Sequence, residues 1–483
     1  MNPSDFRRHG HALVEWVADY LEHTERYPVL PRVAPGEVRS ALPGTAPEHG
    51  EPFEVIFADF ERVLVPALTH WNHPGFFGYF AITASEAGIL AEFLAAALNQ
   101  QAMLWRTSPA ATELEEVALG WLRELMGLPA SFEGVIYDTA SIASLHALAA
   151  AREAALPGVR DAGLTGHRAT LRVYASEHAH SSIDKAAILL GLGQQALCKI
   201  AADDEFRMRP EDLRAAIARD RAAGVQPLAV VATVGTTSTT SVDPVDEIAA
   251  VCRAERIWLH VDAAYAGAAA IIPEHRSSFA GWTHADSIVV NPHKWLFTPF
   301  DLSAFYCRRM DVVMRAFSLV PEYLTTAESS RGVRNLMDTG IQLGRRFRSL
   351  KLWMILRHFG AAGLRDALTE HIRLAQLFSR WVDADSEFER LAPVPFSVVC
   401  FRARPSACHL DREELDAFNE RLLEAVNATG EVFLSHTRLQ GQFVLRLAIG
   451  HLKTTERHVA RAWTLLKTHT AELTPAARPG LPS

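Results

Sequence analysis

Three short apolar runs in this chain end in residues with chemistry to offer. PLAVVATV (227–234) runs into Gly235-Thr236-Thr237, IWLHV (257–261) into Asp262, and SIVV (287–290) into Asn291-Pro292-His293-Lys294. Ligands of open α/β sheets bind in the crevice beyond the carboxyl ends of the strands. If these three strands are neighbours, that crevice holds a lysine, an aspartate, a histidine and a threonine hydroxyl. A lysine and an aspartate so placed suit pyridoxal 5'-phosphate (PLP). The amine can form a Schiff base with the aldehyde, and the carboxylate keeps the pyridine nitrogen protonated so that the ring can accept electrons. An anion site is also needed. Asp138-Thr139-Ala140-Ser141 stands between the strand-like GVIY and a helical, alanine-rich stretch. The N–H groups at a helix start, with two hydroxyls beside them, suit a phosphate. His180 follows the strand-like LRVYA and precedes another helix, where an imidazole can stack on a pyridine ring. His178 and His180 lack a third ligand at a recognisable spacing, so no metal is expected.

Singly, each feature has a bland explanation. A lysine after a strand is commonly solvated, a buried aspartate often closes a turn, and DTAS could be a helix cap. Jointly, in this order on one kind of sheet, they favour the chemical reading. The elements that must position them are legible too. From about 84 to 317, short Val- and Ile-rich runs alternate with helical stretches (141–155, 244–256), which predicts a mostly parallel sheet covered by helices. Ahead of it, 3–23 reads as an amphipathic helix, with Leu13, Val17, Tyr20 and Leu21 on one face and Ser4 as its N-cap. A proline-rich connector and a second helix (53–65) follow. Residues 318–340 have few apolar positions and no period, and a loop of that length is usually functional. The segment 343–360 reads as helix, and the remainder as strand, helix, strand, strand, helix. The expected division is an N-terminal helical arm (1–85), a large domain (86–345), a smaller C-terminal α/β domain (346–473) and a disordered tail (474–483).

Composition narrows the function class. Of 483 residues, 49% are hydrophobic and 22% charged, which is globular composition with material for a large core. Lys and Arg number 48 against 56 Asp and Glu, a net charge of −8. A chain that neutralises phosphates of nucleic acid needs the opposite balance. No run reaches the ~18 apolar residues of a membrane span. The polar opening MNPSDFRRHG has no apolar run behind it, and the five cysteines form no paired spacing. A cytoplasmic enzyme with reduced thiols is expected, with no nucleic-acid or membrane partner.

NPHKW (291–295), HVDAAYAG (260–267), AHSS (179–182), GTT (235–237) and LGRRFRSLK (343–351) together resemble the group II PLP-dependent decarboxylases, and among them the aromatic-L-amino-acid decarboxylases. The likeness extends from FRR (6–8) through THW (69–71), FFGYF (76–80) and SPAATELE (108–115) to FVLRLAI (443–449), nearly the whole chain. It implies fold type I, the aspartate-aminotransferase-like PLP-dependent transferase fold, and a homodimer with active sites at the subunit interface. Residues 101–104 would then reach into the partner's site.

The resemblance also implies roles. Lys294 would carry the cofactor, Asp262 would pair with the pyridine nitrogen, and His180 would stack on the ring. Thr139, Ala140, Ser141 and Asn291 would hold the phosphate, with Thr237 near the ring oxygen and His293 beside the lysine. Tyr323, in VPEYL, would protonate the carbanion left by CO2. In this family tyrosine there and histidine at the place of His180 go with amine products, whereas phenylalanine and asparagine go with aldehydes. Trp71, Tyr79, Phe80, Ile82, Met103 and Gly344 would line an aromatic substrate pocket. Departures from the family pattern include Asp138 where a glycine is usual, and Ala81-Ile82, Gln101 and Met103 near the substrate. The competing readings are an aldehyde synthase, an aminotransferase gripping its substrate carboxylate through Arg446, and a catalytically silent member of the fold.

Overall fold

The structure, a computed structural model, describes residues 1–167, 169–319, 333–407 and 409–474. They fall into two compact units, one of Met1–Ala81, Leu377–Leu391 and Phe401–Ser483, the other of Ile82–Gln376 and Ala392–Cys400.

The chain opens with the helix Pro3–Glu22. Its N-cap is Asn2 rather than Ser4: the Asn2 side chain accepts from Asp5 N at 2.9 Å, and Ser4 lies inside the helix and donates its hydroxyl to Asn2. Pro3 at the first helical position explains the offset, since its missing N–H costs nothing there. Leu13, Val17, Tyr20 and Leu21 form a half-buried stripe. The helix Phe53–Asp59 continues into a wider turn, Phe60–Leu64, and strand β1 (Phe76–Phe77) follows.

The larger unit is built on a seven-stranded sheet. Its strands are β2 (Glu133–Tyr137), β3 (Leu171–Ser176), β4 (Leu197–Ile200), β5 (Gln226–Thr233), β6 (Trp258–Asp262), β7 (Ser287–Val290) and β8 (Ser303–Cys307), in the order β2-β8-β7-β6-β5-β3-β4. The pairs from β7 through β4 are parallel, and β8 runs antiparallel to both its neighbours. The expected mostly parallel sheet is present. Strands β4 and β8 complete it and were not separated from their surroundings in the sequence. The helix Ala140–Ala155 lies against the sheet through Ala143, Ala147, Ala150 and Ala151, each at most 1% exposed. Small side chains let the helix axis approach closely, and the face reads as alanine rather than as a leucine stripe.

Beyond β8 comes the helix Met310–Phe317. Residues 336–339, expected in a loop, form a buried turn with Leu336 at 1% and Thr339 at 0% exposure. Ser318 Oγ donates to Asp338 at 2.9 Å, so the chain before and after 319–337 meets at one point. The segment 343–348, expected as helix, is irregular, and the helix starts at Ser349. The reason is electrostatic. Arg345 is buried and pairs with Glu115 at 2.7 Å, while Glu115 also accepts from Ile136 N at 2.8 Å. Arg345 N and O bond to the Gln101 side chain and Ala102 N at 2.6 and 2.9 Å. Those backbone groups cannot also join a helix.

The helix Ser349–Ala384 is interrupted at Gly360, which has φ 61°. The closing elements are β9 (Phe388–Arg390), β10 (Val398–Ala403), the helix Arg412–Ala428, β11 (Phe433–Leu439), β12 (Gln442–Ala448) and the helix Glu456–Leu473. A five-stranded sheet orders as β1-β11-β12-β10-β9. Asp411 and Glu414 form a capping box at the helix Arg412–Ala428.

Candidate functional site

The strand register gathers the predicted residues at one end of the larger unit's sheet. Thr233 on β5 is level with Asp262 on β6, and Asp262 with Val289 on β7. Ala304 on β8 is level with Val290 and also with Ile136 on β2. The carboxyl ends of β2, β7, β6 and β5 therefore open on the same side, together with the start of β8. His180 follows β3, which pairs with β5.

Asn291-Pro292-His293-Lys294 forms the floor. Asn291, at 2% exposure, receives Ser303 Oγ on its side-chain oxygen at 2.6 Å and donates its backbone N–H to Ala264 O at 2.9 Å. Pro292 starts a single helical turn, Pro292–Trp295. His293 is buried, and its Nδ1 accepts from Leu302 N at 2.9 Å. Burial, then the nearby Lys294 charge, pushes its pKa down to about 3, so it stands neutral. Trp295 stacks on Tyr265 with centroids 4.6 Å apart and donates to His371 at 3.0 Å. The half-buried Lys294 thus sits between two side chains that cannot move.

Asp262 is 6% exposed and receives Ala264 N on Oδ1 at 3.1 Å. Behind it on β6, His260 contacts Ser287 Oγ at 2.9 Å and Ser144 Oγ at 3.1 Å, and burial lowers its pKa to about 4. His180 is exposed at the rim. Its Nδ1 accepts from Ser182 N at 3.1 Å, which leaves Nε2 to carry the proton of the neutral ring. Surrounding protein lowers its pKa; the Asp262 charge opposes that shift and the Lys294 charge adds to it. Those two influences place His180, Asp262 and Lys294 within one electrostatic neighbourhood. In Gly235-Thr236-Thr237 the two threonines differ. Thr236 is buried, contacts Thr239 Oγ1 at 2.9 Å and accepts from Ser241 N, whereas Thr237 is exposed. Gly235 has φ 88°, and a Cβ there would lie 2.6 Å from Ala266 Cβ, so no other residue fits.

At the start of the helix Ala140–Ala155, Thr139 is the N-cap and makes no side-chain cap bond. The first backbone bond closing the helix comes from Ala143 N. The N–H groups of Ala140, Ser141 and Ile142 precede it, with the exposed Ser141 hydroxyl beside them. These donors and the Asn291 amide, on either side of Ser303, match the needs of a phosphate. A carboxylate, a lysine and an imidazole across the same crevice match the needs of a pyridine ring bearing an aldehyde. The residues present fit PLP.

The pocket candidates divide between the two units. Trp71, Tyr79 and Phe80 belong to one: Trp71 packs on Phe76 with tilted rings 4.4 Å apart, Tyr79 has φ 50°, and Arg446 lies over the Phe80 ring at 4.7 Å and donates to Tyr79 O. Ile82, Met103 and Gly344 belong to the other. Met103 packs on Leu104 and Met337, and a Cβ on Gly344 would meet Gln101 Nε2 at 3.3 Å. Tyr323 lies outside the described residues. The sequence reading missed Ser303, which anchors Asn291, and the His260–Ser144–Ser287 contacts. The spacing of His260 and Asp262, two residues apart on one strand face, was the available signal.

Residues 35–404 match the pyridoxal-dependent decarboxylase conserved domain. An aromatic-L-amino-acid decarboxylase of Sus scrofa is 42% identical over 98% of this chain and 98% of its own. A phenylacetaldehyde synthase of a Rosa hybrid cultivar is 40% identical over 97% of this chain and 94% of its own. The crystal structure of Oryza sativa TDC with PLP and tryptamine superposes with a TM-score of 0.94 at 38% identity, covering 98% of this chain and 99% of that one. The chain belongs to the pyridoxal-dependent decarboxylase family. It has the fold type I architecture, its cofactor is PLP, and it is an amino-acid decarboxylase by class. Among the described residues no helix is long and apolar enough to cross a membrane.

Proposed function

We propose that this enzyme removes CO2 from an aromatic L-amino acid and releases the corresponding arylalkylamine, as a cytoplasmic homodimer. The observation that carries the reading is Lys294 and Asp262 at the ends of the neighbouring parallel strands β7 and β6, with His180 after β3 at the same end of the sheet. Lys294 would hold the cofactor through its amine, which would also serve as a base in the site. Asp262 holds a proton on the pyridine nitrogen. Ala140, Ser141 and Asn291 would hold the phosphate, with Thr139 shaping the turn because its two donors point to Asp138, and Thr237 would lie toward the ring oxygen. His293, neutral and locked, keeps Lys294 from acquiring a charged neighbour. Bound there, PLP supplies an electron sink for the pair left behind by CO2.

His180 would face the cofactor ring and position the substrate carboxylate through Nε2. Tyr323 delivers the proton to the substrate Cα and decides amine against aldehyde. Both decarboxylases and aldehyde synthases stand near 40% identity, so overall similarity does not separate the two outcomes. The histidine at 180 favours the amine. In the larger unit Ile82 and Met103 offer apolar surface and Gly344 leaves room, which suits an aromatic side chain, in keeping with the aromatic-amino-acid decarboxylases among the relatives. The helix Glu86–Leu98 exposes Leu90, Phe93, Leu94 and Leu98 in one stripe, which supports burial against a second copy.

The test is a product assay by mass spectrometry on PLP-loaded enzyme in air, with tryptophan, phenylalanine, tyrosine, dopa, histidine and glutamate supplied separately. One dominant aromatic amine with stoichiometric CO2 is expected. Aldehyde with peroxide would overturn the amine assignment, and turnover of glutamate or histidine alone would overturn the aromatic one. Tyr323→Phe should shift product toward aldehyde; an unchanged amine yield would remove Tyr323 from its role.

A further inference from the structure

The phosphate turn contains a group that a phosphate site does not ask for. Asp138 immediately precedes the N-cap of the helix Ala140–Ala155. Its Oδ1 accepts from Thr139 N at 2.6 Å and from Thr139 Oγ1 at 3.2 Å. Its Oδ2 accepts from Gln342 Nε2 at 3.2 Å. Both donors of Thr139 are thus directed to a carboxylate, and a side chain from 204 positions further along holds that carboxylate in place. Register fixes where this happens. Tyr137 is level with Ser303, and Ser303 is bonded to Asn291, so Asp138 and Asn291 flank the same residue. An anion and an anion-binding amide stand on either side of one crevice.

We propose that Asp138 is a resident anion at the cofactor's phosphate turn, held there by Gln342, which sets how tightly, and at what pH, the enzyme retains PLP. This rests on the reading that the phosphate sits at the start of the helix Ala140–Ala155. The helix start offers roughly half a positive charge and a few N–H groups. A phosphate arriving there shares that field with a carboxylate that already has the Thr139 donors. Repulsion is larger for the dianion than for the monoanion. A phosphate monoester loses its second proton near pH 6, about the value given for phosphorylated side chains. A neighbouring negative charge raises that pKa. Asp138 therefore lowers the affinity for PLP as pH rises through the phosphate ionisation, and removing its charge removes that contribution. Gln342 links the turn to 341–345, so that segment fixes where the carboxylate stands against the cofactor's phosphate.

The experiment titrates the full-length apoenzyme with PLP and, in parallel, with pyridoxal, which lacks the phosphate. Binding is followed by the absorbance of the lysine adduct, and the bound phosphate by its 31P resonance. Asp138→Asn keeps the shape and the acceptor oxygen but removes the charge. It should lower the Kd for PLP at pH 8 by about tenfold, the scale of one screened charge contact, and leave pyridoxal binding unchanged. The 31P resonance should shift with pH in the wild type and stay fixed in Asp138→Asn. Gln342→Ala, an exposed position whose loss does not threaten folding, should tighten PLP in the same direction by about threefold as the carboxylate gains freedom to rotate away. Equal or weaker PLP binding by both variants would overturn the proposal, as would an equal gain for pyridoxal. Ser141→Asp separates the two levels of the argument. It places a charge at the helix start itself and should collapse PLP affinity. If it does so while Asp138→Asn and Gln342→Ala are neutral, the resident-anion proposal falls alone. If Ser141→Asp is neutral, the location of the phosphate falls with it.

Discussion

The floor and the rim of the crevice, both in the larger unit, are made differently. On the floor, Asn291, His293 and Trp295 are buried and each is held by a specific partner: Ser303, Leu302 N and the Tyr265–His371 pair. At the rim, Ser141, His180, Thr237, Gln101 and Gly344 are exposed; Ser182, two residues on, bonds His180, and Arg345 N reaches Gln101 from the far side of the sequence. The floor has one arrangement available to it. The rim can accept substitution without repacking the sheet. Chemistry common to a family belongs on the first and selectivity on the second, and Gln101, an expected departure from the family pattern, is at the rim.

The contrast can be broken at the floor. Lys294→Ala should abolish turnover, a loss above roughly 10⁴-fold in kcat as for other residues essential to a unit mechanism. The melting temperature should stay nearly unchanged, because the turn is held by its neighbours. A large fall in melting temperature would show that the lysine is structural. The tie between rim and sheet comes next. Glu115→Ala leaves Arg345 buried without its partner, at a cost of about 3–5 kcal/mol of stability. Urea unfolding measures that cost, and a loss below about 1 kcal/mol would mean the pair is solvated. At the rim itself, His180→Asn should lower amine yield and raise aldehyde, read by product ratio, with the fold intact by circular dichroism.

A pH series sharpens the comparison. His260 and His146 are buried with pKa values lowered to about 4 and about 3. The unfolded chain takes up protons near pH 6.5 that the folded chain refuses, so their stability contribution is full above that pH and is lost as pH falls toward those values. At pH 5.5 each should cost about 1 kcal/mol relative to pH 7.5. His260→Asn should flatten the slope of the urea midpoint against pH, and an unchanged slope would reject the assignment. The smallest effect is expected of Gly344→Ala. Its Cβ would meet only the far end of the Gln101 side chain, so kcat should hold and KM for an indole substrate should rise a few-fold. A collapse in kcat would place Gly344 on the floor rather than the rim.

The same contrast explains what the sequence made legible. Strands β3, β5, β6 and β7 read clearly because they are buried on both faces and bounded by polar ends. Their ends carried Asp262 and Lys294, so the centre of the site was readable from residue order. Strand β8 was missed because SAFYC resembles any short core segment, and with it went Ser303. The irregular 343–348 segment was misread because Arg345 and Arg348 sit at helical spacing on a basic run. Their partners Glu115 and Asp301 lie 230 and 47 residues away, and no local pattern records them. The division of Trp71, Tyr79 and Phe80 from Ile82, Met103 and Gly344 depends on tertiary contacts, which residue types do not encode.

The Ser318–Asp338 bond has a bearing on how such enzymes diversify. A stretch of chain that leaves and returns at one fixed point is a cassette. Closing it costs entropy that grows only logarithmically with length, so doubling the insert adds about 0.6 kcal/mol. The latitude has a boundary, because Leu336 and Met337 beside the second anchor are buried in the core and are not free to change. Tyr323 lies inside that cassette. With Tyr323 in the role proposed for it, a change of length between the anchors would alter the product at a small cost in closure entropy.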